Sequence, residues 1–191
     1  MQKTVKGTWL VDYVKLLNNF LKSNPQDREK FNELLKPGDW KYIKEMILPS
    51  SKYPYEFFQR LGNAIFIIIA QSNLETTRSF GHLVLENLLQ TYKSILIPNQ
   101  QIESLRKFLS FHEAYFKEVS SRAILIESAE HSAKIKLNLI PEDKQFPASK
   151  AFAYQLGGSF EALVAKAGGK KVQMEIIEDQ DKNYIYNLDW K

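Results

Sequence analysis

The stretch RAILIESAEHSAKIKLNL, residues 122–139, decides the fold class of this chain. In its second half apolar and polar residues alternate, and this period of two predicts a strand with one buried face. The alternating apolar residues are Ala133, Ile135, Leu137 and Leu139. The apolar run 123–126 precedes them, and residues 128–132 lie between the two segments as a turn. The stretch therefore predicts a β-hairpin.

Upstream of this stretch, from Thr8 to about Val119, the apolar residues recur at helical spacing. Segments that contain proline, glycine or asparagine separate the predicted helices. The predicted helices are 8–21, 25–35, 39–46, 55–71, 75–95 and 102–119. Residues 49–54 predict a turn. The run 64–70 is apolar nearly all round, so we expect it at the centre of the fold.

Downstream of the hairpin, the helical period returns once, over residues 147–167, and Gly168-Gly169 suit the end of that helix. Residues 172–176 and 184–190 then alternate again and predict a second hairpin. Helices followed by hairpin, helix and hairpin are typical of an α+β fold with an antiparallel sheet. We expect one domain, residues 1–191, with a helical lobe (1–120) and an α/β lobe (121–191).

The composition excludes several classes of protein. Of the 191 residues, 44% are hydrophobic and 25% are charged, which is typical of globular domains rather than disordered chains. The absence of cysteine excludes a disulfide scaffold, a cysteine-based metal site and a cysteine nucleophile. A net charge of +4 is too small to predict a nucleic-acid surface. With no signal peptide and no apolar run long enough to cross a bilayer, we expect a cytoplasmic protein without a membrane span.

Several local strings, taken in this order, resemble one superfamily. It joins haem–nitric-oxide/oxygen-binding domains, four-vinyl-reductase-type small-ligand domains and an uncharacterised paralogous family abundant in myxobacteria, which this chain resembles most. The strings are Val5–Thr8, Ile47–Pro54, the helix around Gly81, Leu105–Phe108 with Tyr115-Phe116, and Tyr154–Phe160. The resemblance covers most of the chain. It implies a sensor-like domain with a small-ligand site.

The haem-binding branch implies a histidine on the helix before the first hairpin and a Tyr-x-Ser-x-Arg motif before the later helix. Histidine ligates the iron, and the motif holds the haem propionates. When the two glycine-containing helices are aligned with those of the haem-binding branch, Phe116 falls at the position of the histidine. Gln145, Pro147 and Ser149 fall at the positions of the tyrosine, serine and arginine of the motif. We therefore expect no haem. His112 lies one turn before Phe116 and keeps open the alternative of a haem-binding gas sensor that uses His112.

No arrangement of residues predicts catalysis, so we do not expect an enzyme. His82, His112 and His131 are isolated in the sequence, and no nucleophile elbow or phosphate-binding glycine loop is present. The four-vinyl-reductase branch carries cysteines near its last hairpin, where this chain has acidic residues at 178, 179 and 181. Their spacing is not that of a calcium loop, and we interpret them as a solvated turn. No metal site is predicted.

Aromatic residues on the predicted helices favour a site for a small apolar ligand between the segments 64–70 and 108–116. Its candidate residues are Phe66, Phe111, His112, Tyr115, Phe116 and Phe152. The alternative is that these side chains fill an ordinary core. We expect a regulatory or signalling domain that acts through protein contact, as a homodimer or with a protein partner, and we expect no nucleic-acid partner.

Overall fold

The computed structural model describes residues 3–116, 121–141, 143–145 and 148–191, without the side chains of residues 115, 116 and 145. These residues form two compact units, and each is described by itself. Among the described residues, the first unit comprises 3–73 and Ala148, and the second comprises all the others. Helices combine with antiparallel sheets, which confirms the α+β class. The single domain 1–191, with its lobes 1–120 and 121–191, stays a prediction.

The first unit contains four of the predicted helices. They are α1 (Thr8–Ser23), α2 (Arg28–Leu34), α3 (Asp39–Lys44) and α4 (Tyr55–Ala64). Helix α1 buries its apolar stripe, which consists of Trp9, Leu10, Tyr13, Val14 and Leu17. The buried carboxylate of Asp39 in α3 accepts two hydrogen bonds of 2.8 Å from the guanidinium of Arg60 in α4. This ion pair joins α3 to α4.

A small sheet in the first unit was not predicted. Strand β1 (Thr4–Lys6) pairs antiparallel with β2 (Lys52–Pro54), so the segment predicted as the turn 49–54 contains a strand. Three residues are too few to show an alternating pattern. The partner strand also lies more than forty residues away in sequence, so no short turn joins the two strands. For both reasons, the sheet could not be predicted from the sequence.

The expectation that residues 64–70 lie at the centre of the fold is wrong. After α4 the chain continues as a π-helical turn, Ile65–Ile69, in which Ile67 is 38% exposed. Ile65 is buried, and Phe66 is half-buried. The wider π turn changes the angle between successive side chains, so their apolar character does not reveal which one faces solvent.

The described residues of the second unit form three α-helices and a four-stranded sheet, besides two short 3-10 turns. The helices are α5 (Leu74–Thr91), α6 (Gln101–Phe116) and α7 (Ala148–Lys166), and the strands are β3 (Arg122–Ala129), β4 (Ser132–Asn138), β5 (Gln173–Glu178) and β6 (Tyr184–Asp189). The sheet is antiparallel, in the order β3-β4-β6-β5, which confirms both predicted hairpins. Strand β3 is longer than predicted, so the turn shrinks to residues 130–131. Pro147, the predicted start of the later helix, lies outside the described residues.

Helix α7 packs on one face of this sheet. Alternate residues of β4 and β6 are buried there, namely Ala133, Ile135, Leu137, Tyr184, Tyr186 and Leu188. The hydroxyl of Tyr186 donates a hydrogen bond of 3.0 Å to the carbonyl of Ala153 in α7. A Cβ atom on Gly157 would lie 2.7 Å from Met174 of β5, so the glycine lets α7 approach the sheet. The expected packing of this helix on the sheet is confirmed.

Two glycines bring α5 and α7 into close contact. A Cβ atom on Gly81 would collide with the carbonyl of Gln155, and one on Gly158 would collide with the carbonyl of Arg78. The hydroxyl of Ser159 donates a hydrogen bond of 2.9 Å to the Gly81 carbonyl in the same contact. The interpretation of Gly157-Gly158 as residues required for close backbone packing is confirmed.

Within the described part of the chain, no helix combines the length and the apolar character needed to cross a membrane.

Candidate functional site

Among the candidate ligand residues whose side chains are described, His112 is the one that is completely buried. It lies on α6 in register with Leu105, Phe108 and Leu109, and the spacing of three, four and seven residues places all four on one face. The His112 side chain is 0% exposed. Burial lowers its pKa to about 3, because the charged imidazolium would lose its hydration. The imidazole is therefore neutral at physiological pH.

Aromatic side chains from α7 and the sheet fill the space beside this face of α6. The His112 and Phe152 ring centroids are 6.4 Å apart, with the rings tilted by 33°. One turn earlier on α6, Phe108 meets Phe160 edge to face at 5.7 Å, and Phe160 meets Tyr186 at 5.1 Å. Such edge-to-face pairs at full burial are typical of a packed core. Within the second unit, the observed packing favours the filled-core alternative for this row of rings.

Of the other predicted ligand residues, only Phe111 has a described side chain within the second unit. Phe66 lies in the first unit, on the π-helical turn. Phe111, on the neighbouring face of α6, packs against Tyr92 with ring centroids 4.7 Å apart. The side chains of Tyr115 and Phe116 lie outside the described residues. The structure brings together His112 and Phe152, and the small-ligand site as a whole stays a prediction.

A haem site needs an iron ligand, for which His112 is the alternative to the position of Phe116, and it needs groups that hold the propionates. A neutral buried imidazole, which His112 supplies, is a suitable iron ligand. Haem propionates require a cation or strong hydrogen-bond donors. Position 149, where the resemblance requires arginine, holds a half-buried serine in the first turn of α7. The side chain of Gln145 and all of Pro147 lie outside the described residues, so the propionate-binding set is not complete among the described residues.

The other histidines and the acidic turn behave as polar surface. The Nε2 atom of His82 lies 3.6 Å from Glu161, and His131 is exposed in the turn of the first hairpin. The carboxylate of Asp179 accepts hydrogen bonds from the backbone N–H groups of residues 181 and 183. Desolvation acts to raise the pKa of Asp179, but these bonds, together with those from the side chains of Lys136 and Asn183, lower it overall. Across the described residues, no three histidine, aspartate or glutamate side chains are grouped to hold a metal ion.

A second site, a groove of about 380 Å³, runs between α6 and strand β3. One wall is made of Arg106, Leu109, Ser110 and Glu113, and the other is made of residues 123–128. Successive side chains of a strand point to opposite faces of a sheet. Six consecutive residues therefore line one groove only if the groove follows the edge of the strand. Among the described strands, β3 pairs with β4 alone, and helix α6 lies beside its other edge, where the Arg122 guanidinium is 3.6 Å from the Glu113 carboxylate.

The groove was not predicted, although the sequence contains a signal for it. Residues 123–126 are apolar without a break, whereas β4 alternates, and an unbroken run places apolar side chains on both faces of β3. Ile124 and Ile126 are accordingly 43% and 42% exposed. The register between β3 and β4 shifts between Leu125 and Glu127, which is a β-bulge at Ile126.

The similarity of the chain to known proteins is structural. No family model and no curated protein matches its sequence. An unliganded Fe(II) H-NOX protein mutant from K. algicida is 11% identical, with a TM-score of 0.67 over 97% of this chain and 96% of that one. A mutant H-NOX from T. tengcongensis is 15% identical, with a TM-score of 0.62 over 97% of both chains. An H-NOX structure determined to probe haem distortion is 14% identical, with a TM-score of 0.63 over 97% and 95%. The chain therefore has an H-NOX-like fold, and identities this low establish the fold alone.

Proposed function

We propose that this protein is a non-enzymatic regulatory or signalling domain, a haem-free relative of gas-sensor domains that acts through contact with another protein chain. The observation that carries this proposal is the packing of His112. Its imidazole lies on the buried face of α6 against Phe152, next to fully buried aromatic rings, where a core side chain is expected. The H-NOX-like fold supports the signalling class.

Two further observations support the haem-free assignment. Ser149 stands at the position of the arginine that the resemblance requires for the propionates. A serine hydroxyl lacks the charge with which a guanidinium holds a carboxylate through two parallel hydrogen bonds. Phe116 stands at the position of the histidine, and a phenyl ring has no lone pair for iron.

The chemistry of the described histidines supports the non-enzymatic assignment. The buried imidazole of His112 has a pKa far below physiological pH, so it is a poor general base there. The exposed histidines His82 and His131 lie on separate elements. A small apolar ligand remains part of the proposal, with Phe111, His112 and Phe152 as its described candidates in the second unit.

The alternative function is a haem-binding gas sensor with His112 as the iron ligand. A specific observation favours it, since His112 is neutral, buried and placed on the helix that precedes the first hairpin. Haem would then supply the gas-binding chemistry, and His112 would hold the iron.

The experiment is expression with a haem precursor, followed by an absorption spectrum of the purified chain. The variant His112→Ala tests the ligand, and His82→Ala is the matched control on the surface. We expect no stoichiometric Soret band in any of the three proteins. A stoichiometric band that persists in His82→Ala and disappears in His112→Ala would overturn the haem-free proposal and establish the alternative. If His112→Ala does not fold, the spectrum of the unsubstituted chain still decides between the two.

A further inference from the structure

The loop between α3 and β2, residues 45–51, exposes two large apolar side chains. Met46 is 83% exposed and Leu48 is 51% exposed, which makes them the most exposed large hydrophobic side chains of the described structure. Ile47 between them is buried. The loop is therefore fixed to the core at Ile47 and presents both neighbours to solvent. Such a pair on one short loop differs from the single apolar residues that are normal on protein surfaces.

Contacts within the first unit hold the 45–51 loop in place. The backbone N–H of Leu48 donates a hydrogen bond of 2.9 Å to the hydroxyl of Tyr53. The N–H and the hydroxyl of Thr8 each donate to the carbonyl of Pro49 at 3.1 Å. A Cβ atom on Gly7 would collide with the carbonyl of Leu48, so the loop packs against a position that suits glycine. The fold thus holds the apolar side chains at defined positions, and their exposure is a feature of the folded chain.

The charges around the loop are mostly positive. Residues 40–52 contain one acidic residue and three lysines, all exposed, namely Glu45, Lys41, Lys44 and Lys52. Asp39, directly before this segment, is already paired with Arg60. Two of the lysines lie in the last turn of α3, immediately before the loop. The apolar pair therefore projects from a surface that attracts anions.

A lipid surface fits this loop better than a protein surface. Apolar side chains beside lysines bind at the boundary between the headgroups and the acyl chains of a bilayer. Each lysine near an anionic membrane surface strengthens binding about fivefold. A stable protein interface, in contrast, buries about 800 Å² on each partner. Two side chains on a narrow loop supply far less area than that.

We infer that the 45–51 loop docks on the surface of a membrane that contains anionic phospholipids. Met46 and Leu48 insert between the headgroups, and the neighbouring lysines contact the anionic groups. Each contribution is weak by itself, so the binding is reversible and decreases as salt is added. This inference goes beyond the proposed function, because contact with a protein partner requires no membrane.

The first test is co-sedimentation of the purified chain with vesicles. Vesicles of phosphatidylcholine mixed with phosphatidylserine should bind the chain, and vesicles of phosphatidylcholine alone should bind much less of it. The double variant Met46→Ser/Leu48→Ser should lower the partition coefficient roughly tenfold or more, because it removes the side chains that insert. Leu83→Ser is the control, since Leu83 on α5 is 49% exposed, and it should bind as the unsubstituted chain does.

Charge variants test the contribution of the lysines. Lys44→Glu should lower the partition coefficient on the mixed vesicles roughly tenfold, because it removes an attraction and adds a repulsion. Lys22→Glu is the matched control for net charge. It lies in the last turn of α1, whereas Thr8, at the beginning of that helix, contacts the loop, so its effect should be much smaller. Equal losses in the two variants would overturn the inference.

The last test locates the inserted side chain. Because the chain contains no cysteine, Met46→Cys can be labelled at a single site with nitrobenzoxadiazole, whose emission shifts to the blue in apolar surroundings. Mixed vesicles should shift the emission of a label at position 46 and leave that of labelled Leu83→Cys unchanged.

Three results would overturn the inference: no binding of the unsubstituted chain to mixed vesicles, full binding by Met46→Ser/Leu48→Ser, or a label at position 46 that stays in water while the chain is bound. A label that is shielded by polyglutamate, in a chain that binds no vesicle, would also overturn it and assign the loop to an acidic protein surface. The haem spectrum is independent of all these results and judges the proposed function by itself.

Discussion

The two faces of α6 differ in burial and in charge. The face with Leu105, Phe108 and His112 is fully buried against aromatic side chains of the second unit, whereas Arg106, Ser110 and Glu113 line an open groove. The buried face contains a titratable group that packing keeps neutral, and the groove face contains charges that remain hydrated. Stability should therefore depend far more on the first face than on the second.

The largest expected effect tests that division directly. Phe108→Ala should lower the free energy of unfolding by about 3–5 kcal/mol, because it removes a fully buried ring that meets Phe160 edge to face. Ser110→Ala, on the groove face of the same helix, should change it by less than about 0.5 kcal/mol. Urea denaturation measures both. Equal losses would show that the groove face is as important for folding as the core.

The next largest effect concerns the close backbone contact between α5 and α7. Gly81→Ala should cost about 3 kcal/mol, the upper part of the range for overpacking, since its Cβ meets a backbone carbonyl that cannot rotate away. Gly38→Ala is the matched control, because a Cβ there meets nothing within 4 Å. Thermal unfolding distinguishes the two variants. A tolerated Gly81→Ala would mean that α5 and α7 pack less closely than described.

The smallest effect concerns the charge state of the buried face. The folded pKa of His112 lies below the unfolded value of 6.5, so the unfolded chain binds more protons in between and stability falls as the pH drops below about 6.5. At pH 5 the loss should be about 2 kcal/mol relative to pH 7.5. His112→Leu should flatten this dependence, and His131→Leu, in the exposed turn, should retain it. An unchanged pH profile in His112→Leu would contradict full burial of the imidazole.

The sequence predicted most of the second unit because its patterns are local. The hairpin 122–139 and the final hairpin follow from a period of two, and the glycines of α7 indicated close packing before any contact was visible. The pair β1–β2 was missed because three-residue strands have no period, and residues 64–70 were misplaced because a π turn changes which side chains face solvent.

Less of the candidate site than of the fold could be predicted from the sequence. His112 was identified as a candidate, yet its neutrality follows from burial, which depends on partners such as Phe152 forty residues away. The groove at β3 depends on the strand order, because an unbroken apolar run looks the same in a central strand as at an edge. The small-ligand site around Phe66, Phe111, His112, Tyr115, Phe116 and Phe152 stays a prediction.

The glycine contact between α5 and α7 also has a consequence for the speed of folding. Ser159 and Gly81 are 78 residues apart in sequence, and the ion pair of Arg78 with Glu161 spans 83. Closing so long a loop costs chain entropy before any contact offsets it, while the β3–β4 hairpin needs only a two-residue turn. Distant contacts of this kind slow folding. The second unit should therefore form its local hairpins early and join α5 to α7 late, so that the edge of β3 exists before the core behind it is complete.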